Sequence, residues 1–326
     1  MALLPAVAAC NSIVGFGELQ KVTVQEQDDD DDDSTVPGRS DGGSGNGSGD
    51  SGPAIDGSPS GPKCDPSKPF SPPAALAGPV NSASFEVAPS LMNNELMIVF
   101  QRTVGPEGGS LMLATRSSID APFGEPKELT ALAQGLVGVQ QPTMTADGLL
   151  LFFIGVSGSN GRLFTASRVS PAGEFTNRRA ADELDTNGSE SFPALTPNGE
   201  ELWFSSQPGV DVDRRFFRSV RDSIGDYGTP SRVTELAAKA EAGVAFSADG
   251  LTVFFGSERA GGAGEVDIWT AKRPALGAPF GAASVVSELN SAVSDYPGWL
   301  SADGCRLYFG SDRSGGGDLF VATRPP

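Results

Sequence analysis

Residues 301–324 read SADGCRLYFGSDRSGGGDLFVATR and contain the fullest copy of a pattern that occurs five times in this chain. Each copy has a two-residue turn, an apolar run, a glycine-rich connection and a second apolar run that ends in arginine. The turns and the runs that follow them are Asn94-Glu95 before LMIVF, Asp147-Gly148 before LLLFF, Asn198-Gly199 before EELWF, Asp249-Gly250 before LTVFF and Asp303-Gly304 before CRLYF. The second turn residues lie 51 to 54 residues apart. The chain therefore repeats one structural unit.

The turns indicate the kind of unit. Asp-Gly or Asn-Gly between two apolar runs is the strongest short-range signal for a β-hairpin, and a primed turn there needs positive φ at both central residues. We predict a first strand before each turn, a second strand after it and a third strand ending in arginine. The closing arginines are Arg116, Arg168, Arg221, Arg273 and Arg324. A weaker fourth strand is predicted after an aromatic residue, at Phe123, Phe175, Tyr227 and Phe280.

This spacing predicts an all-β fold, a five-bladed β-propeller of four-stranded antiparallel blades. Radial repetition of short sheets leaves only short, protected edges, and a period near 50 residues is typical of propeller blades. The aromatic residue shared by the second strands is expected between the blades, at Phe100, Phe153, Phe204, Phe255 and Phe309.

The two ends of the repeat region predict how the ring closes. The fifth copy stops after its third strand, at Pro326, and so lacks a fourth. The segment from Phe70 to Ser82 resembles residues 280–291, which precede the fifth copy. We therefore expect residues 70–80 to supply the missing outer strand of the last blade, which removes an open sheet edge.

The cysteines agree with this closure. Cys64 lies six residues before Phe70, and Cys305 begins the second strand of the last blade. The starts of the second and fourth strands share one face of a propeller, so we predict a Cys64–Cys305 disulfide formed in an oxidising compartment, with two unpaired thiols as the alternative. Cys10 remains as the third cysteine.

Composition excludes several function classes. The chain has 326 residues, a formal net charge of −18 and no histidine. An acidic chain lacks the basic footprint of a nucleic-acid surface, and without histidine there is no Ser-His-Asp or Cys-His nucleophile and no His-ligated metal. No run is long enough to span a bilayer. We expect no catalytic residue, cofactor or metal.

The residues before the repeats divide into two further segments. Residues 1–24 begin with MALLPAVAA, and Val7-Ala8-Ala9-Cys10 resembles a bacterial lipobox, in which the cysteine is lipidated, although the basic region of a signal peptide is missing. Residues 25–68 contain six consecutive aspartates at 28–33 and a Gly/Ser/Pro-rich tract. This composition predicts a disordered linker that separates the anchor from the propeller of residues 69–326.

The repeats resemble the WD40-like repeats of TolB-type propellers. The resemblance is carried by Ser301-Ala302-Asp303-Gly304, Asp312-Arg313 and Gly316-Gly317-Asp318, with Asp249-Gly250, Glu258-Arg259 and Asp267 in the fourth copy. It implies an exported bacterial protein, in the periplasm or at the outer membrane, that acts through protein contacts without a cofactor. TolB itself differs in having six blades and an additional α/β domain.

The motif residues have structural and functional interpretations. Asp267 and Asp318 follow glycine-rich connections and are each expected to cap the connection and pair with the nearby arginine, Arg259 or Arg313. The equivalent positions in the other copies are Ser110, Arg162 and Arg215, so no ring of carboxylates forms.

We therefore expect a monomeric, membrane-anchored scaffold that presents loops to a partner protein of the cell envelope, touches the membrane only through lipid and binds no nucleic acid. One alternative is glycan or small-ligand binding at the mouth of the ring through Tyr296 or Trp299. A second is a glycoside hydrolase, which needs two carboxylates in the central pocket. The carboxylates available near turns are Asp213, Asp226, Glu241, Asp267 and Asp295.

Overall fold

The structure is a computed structural model that describes residues 64–103, 108–158, 160–209, 213–223 and 225–326. Its strands form five four-stranded antiparallel sheets, which confirms the predicted all-β fold and blade number. Two short 3-10 helices, Thr130–Ala133 and Asp182–Leu184, lie in connections, and no helix in these ranges is long and apolar enough to cross a membrane. In chain order the strands are β1 (Ala74–Ala75), β2 (Phe85–Leu91), β3 (Met97–Thr103), β4 (Gly109–Thr115), β5 (Lys127–Glu128), β6 (Gly138–Met144), β7 (Leu150–Ser157), β8 (Asn160–Ser167), β9 (Thr176–Ala180), β10 (Ser189–Leu195), β11 (Glu201–Gln207), β12 (Arg215–Val220), β13 (Ser231–Arg232), β14 (Ala242–Phe246), β15 (Thr252–Ser257), β16 (Asp267–Lys272), β17 (Ser284–Val285), β18 (Asp295–Leu300), β19 (Arg306–Ser311) and β20 (Asp318–Thr323).

The blades close into a ring. The first strand of each blade is innermost, and these five strands contact one another in the order β2, β6, β10, β14, β18 and back to β2. Five hydrophobic clusters fill the gaps, each built from two adjacent blades, and one of them joins the fifth blade to the first. The expected inter-blade aromatics are fully buried there, at Phe100, Phe153, Phe204, Phe255 and Phe309.

The N-terminal segment completes the last blade, as predicted, because β1 pairs antiparallel with β20. The Ser71 N–H donates to the Thr323 carbonyl at 2.7 Å, and the Leu76 N–H donates to the Leu319 carbonyl at 2.8 Å. The regular strand covers only residues 74–75 of the expected 70–80. The prolines at 72, 73 and 79 have no N–H to donate, and this explains the shorter pairing.

A disulfide between Cys64 and Cys305 is present, as predicted, with 5.7 Å between the two Cα atoms. It joins positions 241 residues apart in sequence. Beside it, the Asp65 N–H donates to the Pro325 carbonyl at 2.9 Å, so the chain is attached to the last blade from the bridge onward.

The turns between first and second strands differ from the primed type that we predicted. Only the second turn residue has positive φ, between 60° and 70°, at Glu95, Gly148, Gly199, Gly250 and Gly304. Its N–H donates to the carbonyl three residues earlier, as Gly148 does to Thr145 at 2.8 Å. This is a turn of ordinary handedness followed by one left-handed residue, the bulged hairpin arrangement. Glycine occupies four of the five positions because it adopts positive φ without a steric penalty.

Each innermost strand is interrupted by a β-bulge near its middle. In four blades a bulge residue has φ between 50° and 59°, namely Ala88, Gln141, Phe192 and Gly243. Proline follows the first three of these residues. Since proline cannot donate to a strand ladder, the bulge is where an inner strand accommodates it.

Candidate functional site

A cavity of about 560 Å³ opens at the centre of the propeller face that carries the turns between first and second strands. We call this face the turn face and the cavity the central cavity. One residue from each of the five turns lies at the rim, and these residues are Asn93, Ala146, Pro197, Ala248 and Ala302. Since every blade contributes the same turn position, the cavity follows from the ring geometry.

The wall of the central cavity combines apolar and polar side chains, the polar ones including Thr143, Thr145 and Thr196. Below the rim it is formed by the ends of the innermost strands, where Met144, Leu195 and Leu300 lie. Trp299 is half-buried in this wall and packs against Tyr308, with ring centroids 5.9 Å apart. Among the residues that the structure describes, Asp147 is the one carboxylate in the lining and Arg221 the one cation. The site can therefore contact an apolar group and also offers polar side chains to a ligand.

Carboxylates stand beside the rim in three of the five turns, at Asp147, Asp249 and Asp303. Asp249 Oδ1 accepts hydrogen bonds from the Ser247 hydroxyl at 2.6 Å and from the Leu251 N–H at 2.9 Å, and these bonds lower the pKa of Asp249. Burial acts to raise the pKa of Asp147 and Asp303, but equivalent hydrogen bonds leave both pKa values below the ordinary value. These carboxylates are thus charged at neutral pH.

Asparagine makes the same turn in the other two blades. Asn198 Oδ1 accepts from the Thr196 hydroxyl at 2.8 Å and from the Glu200 N–H at 3.2 Å. Asn94 Oδ1 accepts from the Leu96 N–H at 3.0 Å. The turn therefore needs a side-chain oxygen at this position and does not need its charge.

The arginines that end the third strands are structural. The guanidinium lies over the aromatic residue expected at the start of the fourth strand, and the distance from its Cζ atom to the ring centroid is 4.1 to 5.9 Å. The pairs are Arg116–Phe123, Arg168–Phe175, Arg221–Tyr227, Arg273–Phe280 and Arg324–Phe70. Four of these arginines also donate to the carbonyl of the second turn residue, as Arg273 Nε does to Gly250 at 2.8 Å.

The expected pairing of the motif aspartates with the nearby arginines is wrong. Arg313 instead binds Asp295 Oδ1 at 2.6 Å and lies over Phe309. Arg259 donates to the Leu236 carbonyl at 2.7 Å and lies over Phe255. Each arginine thus lies over the inter-blade aromatic residue of its own second strand and reaches an acceptor at or before the start of the innermost strand.

Asp267 does cap its connection, as expected, since its carboxylate accepts from the Gly264 N–H at 3.2 Å. Asp318 begins β20 opposite Ser311 and is half-buried. Neither aspartate lines the central cavity.

The two aromatic residues proposed as ligand contacts are not brought together. Trp299 lines the central cavity, whereas Tyr296 lies before the bulge of β18 and is near Arg214 and Asp312 in connections on the opposite face. Tyr296 stacks on Phe192 with centroids 5.7 Å apart. Phe192 belongs to the third blade and Tyr296 to the fifth, so this stack joins two blades that are not adjacent in the ring.

The carboxylates considered for hydrolysis do not form a pair in the central cavity. Glu241 and Asp295 are fully buried: the Phe216 N–H donates to Glu241 at 2.7 Å, and Asp295 binds Arg313. Asp213 pairs with Arg215, and Asp226 lies exposed beside the outer strand of the third blade. The described part of the chain also contains no group of three or more Cys, Asp or Glu residues placed to hold a metal ion.

Sequence reasoning proposed Trp299 as a contact at the mouth of the ring, but it did not identify the turn residues that surround the central cavity. Its rim is formed by the residue before each turn Asp or Asn, which is Ala or Pro in four of the five copies. The small residue at this position is the sequence feature that could have indicated the cavity.

Comparison with known proteins identifies the fold. The structure of TolB from Acinetobacter baumannii aligns at a TM-score of 0.50 with 15% identity, covering 76% of this chain and 56% of that one. The chain has a β-propeller fold with TolB among its structural neighbours. An endo-arabinase from Bacteroides thetaiotaomicron aligns at 0.51 with 13% identity, covering 78% of this chain and 98% of the other. A glycosyl hydrolase from Bacteroides ovatus aligns at 0.50 with 13% identity, covering 79% and 94%.

These likenesses concern the fold alone, since all three identities are low. This chain spans little more than half of the TolB structure. No family model matches the sequence, and no curated protein matches it.

Proposed function

We propose that this protein is a non-enzymatic binding module whose turn face docks a segment of a partner protein. The observation that carries the proposal is the central cavity, whose rim is formed by equivalent residues of all five blades and whose wall contains the apolar ends of innermost strands. Exposed loops on a stable scaffold are common binding sites, and a recessed apolar pocket is where a partner anchors a side chain.

Exposed apolar side chains also lie on the turn face outside the cavity, where a macromolecular partner would contact them and a small ligand would not. Leu276 is half exposed and lies against the turn of the fourth blade, beside Gly250. Val169 and Val220 are also exposed, where the third strands of their blades end on the same face. These side chains would add apolar contacts to those made inside the central cavity.

Two further inferences belong to this proposal. The disulfide supports an exported protein, because such bonds persist in oxidising compartments. Lipid anchoring on Cys10 and the acidic tether of residues 25–68 remain part of the proposal on sequence grounds, since Cys10 and residues 25–63 lie outside the described residues. Residues 64–68 are described, and Cys64 and Asp65 are joined to the last blade.

A glycan is the second candidate ligand, favoured by the half-buried Trp299 in the cavity wall. Aromatic faces provide apolar contact for sugar rings, and the neighbouring backbone could supply hydrogen bonds. Hydrolysis is less well supported, although two structural neighbours are named as glycoside-cleaving enzymes, because a glycosidase needs two facing carboxylates and the described lining contributes Asp147 alone.

A photo-crosslinking amino acid at Ala302 tests the proposal in cells that produce the full chain. We expect a discrete protein adduct that disappears when Ala248→Trp blocks the rim. Ala172→Trp, in an exposed connection of the second blade outside the cavity lining, is the matched control and should leave the adduct intact.

An adduct that survives Ala248→Trp would contradict docking at the turn face. Turnover of a glycan by the purified protein would contradict a non-enzymatic role. Glycan binding without turnover, lost in Trp299→Ala, would instead support the second candidate.

A further inference from the structure

The rim of the central cavity combines apolar tips with fixed negative charge. Ala146 and Ala248 are exposed at the rim, and each is followed directly by an exposed aspartate, Asp147 or Asp249. Asp147 lines the cavity and Asp249 directly follows a rim residue, so both carboxylates are close to where a segment would enter the cavity. The charge at the entrance is independent of the apolar residues in the wall, so it predicts a separate property of the partner, namely its charge.

The carboxylates are held in a defined orientation. In both turns Oδ1 accepts the two hydrogen bonds that form the turn, so Oδ2 is left for a ligand. Asp303 differs because Arg306 binds its Oδ2 at 3.1 Å, which partly satisfies that charge within the protein. Asp147 and Asp249 are consequently the rim carboxylates best placed to bind an incoming cation.

Cations also lie near these carboxylates, since Arg168 acts on Asp147 and Lys272 acts on Asp249. Arg168 donates through Nε to the Gly148 carbonyl at 2.7 Å, and Arg221, the cation in the described lining, donates through Nε to the Gly225 carbonyl at 2.7 Å. Arg221 is followed by Asp222. The whole chain carries a formal charge of −18, which attracts basic partners at long range and accelerates their association.

We propose that the partner segment carries a small or apolar side chain for the central cavity, flanked by lysine or arginine side chains that bind Asp147 and Asp249. This proposal rests on the binding function proposed above and deepens it by naming the chemistry of the occupant. Apolar contact supplies the anchor, and the two ion pairs select basic over acidic segments.

The test uses synthetic peptides that share one apolar sequence and differ only in carrying lysine, glutamine or glutamate on both sides of it. Binding is measured by fluorescence anisotropy against the full chain at low and at physiological salt. The variant is D147N/D249N, which removes two charges and preserves the turn, because Asn94 and Asn198 already form it in this protein. The control is E174Q/E183Q, which removes two exposed charges from the outer side of the second blade.

The lysine peptide should bind most tightly and lose affinity as salt rises. Its Kd should increase about two- to ten-fold in D147N/D249N, the effect of two exposed ion pairs, and stay unchanged in E174Q/E183Q. Equal binding of all three peptides, or an unchanged Kd in D147N/D249N, would overturn the charge proposal.

The same measurement separates this proposal from the docking site itself. Ala248→Trp should abolish binding of every peptide if the central cavity is the site. Peptide binding that is lost in Ala248→Trp but insensitive to charge leaves the docking function standing and refutes only the basic partner. Failure of the lysine peptide to bind the wild-type chain also refutes the basic partner, whatever the crosslinking experiment shows.

Discussion

The arginine at the end of each third strand connects three separate parts of its blade. Arg273 is fully buried, donates to the Gly250 carbonyl of the turn and lies 4.8 Å from the Phe280 ring centroid. It also pairs with Glu201 of the preceding blade at 3.1 Å. Arg221 holds the same repeat position but is exposed and has no carboxylate partner within the described residues. One sequence position thus has two different energetic environments.

We predict that Arg273→Ala lowers the free energy of unfolding by about 3–5 kcal/mol, since it leaves Glu201 buried without its cation. Arg221→Ala should cost at most about 1 kcal/mol, as expected for an exposed polar side chain. Urea denaturation followed by tryptophan fluorescence measures both. Equal losses of unfolding free energy in the two variants would show that the repeat position, and not the buried ion pair, determines how much the arginine contributes to stability.

The buried carboxylates at the starts of the innermost strands also differ between blades. Glu86 binds Arg102 at 2.7 Å and Asp295 binds Arg313 at 2.6 Å. Glu190, at the equivalent position of the third blade, accepts hydrogen bonds from Thr186 and has no ion pair within the described residues. Burial therefore raises the pKa of Glu190 above its ordinary value of 4.5.

We predict that Glu190→Gln removes part of the pH dependence of stability. A carboxyl with a raised pKa in the folded state stabilises the fold below pH 4.5, and this contribution is lost as pH rises through the folded-state pKa. The wild-type protein should therefore lose stability relative to Glu190→Gln between pH 4.5 and neutrality, measured as urea midpoints across that range. A stability difference that stays constant with pH would contradict this origin.

At the scale of the strand, the bulges allow the innermost strands to converge on the axis. Bulges of neighbouring blades approach closely: a Cβ added to Gly243 would lie 2.6 Å from the Pro297 carbonyl oxygen. Gly243 also has φ of 59°, which side chains rarely adopt. Ala88 has φ of 56° at its own bulge and tolerates it, so conformation alone does not forbid a side chain there.

We predict that Gly243→Ala destabilises the fold by about 2 kcal/mol or more, because strain and a close contact with the next blade add together. Ala88→Gly, the reverse change at an equivalent bulge, should be neutral or stabilising by up to about 1 kcal/mol. Thermal unfolding of the two variants makes the comparison. A tolerated Gly243→Ala would indicate that the bulges are not packed against each other.

Turn spacing was enough to predict the strands, because glycine and aspartate occur at regular intervals between β-rich runs. The same residues did not predict the turn type, since Asp-Gly fits a primed turn as well as a bulged one and hydrogen bonds to Asp147 and its equivalents select the latter. The partner of Arg313 was also beyond sequence reasoning. Asp318 is nearer in sequence than Asp295, and both lie opposite Ser311 on the two strands that flank β19, so the pairing register does not decide between them.

On the scale of the whole molecule, closure was predictable and the candidate site was not. Similarity between residues 70–82 and 280–291 predicted the outer strand, and the cysteine positions predicted the bridge. The rim of the central cavity is formed by five turn residues, four of them Ala or Pro, that meet only when the ring has formed. Since the ring brings them together, any binding at the turn face depends on closure between the first and last blades.

Hydrogen–deuterium exchange of the full chain, read by mass spectrometry, tests closure most directly. Residues 70–81 donate to the last blade at Ser71 and Leu76, and β1 lies against β20. We predict that the amides that donate these bonds are protected to the same degree as those of β20, because opening them requires opening the fifth blade. Exchange of residues 70–81 at the rate of an unstructured chain, with β20 still protected, would show that the N-terminal segment does not close the ring.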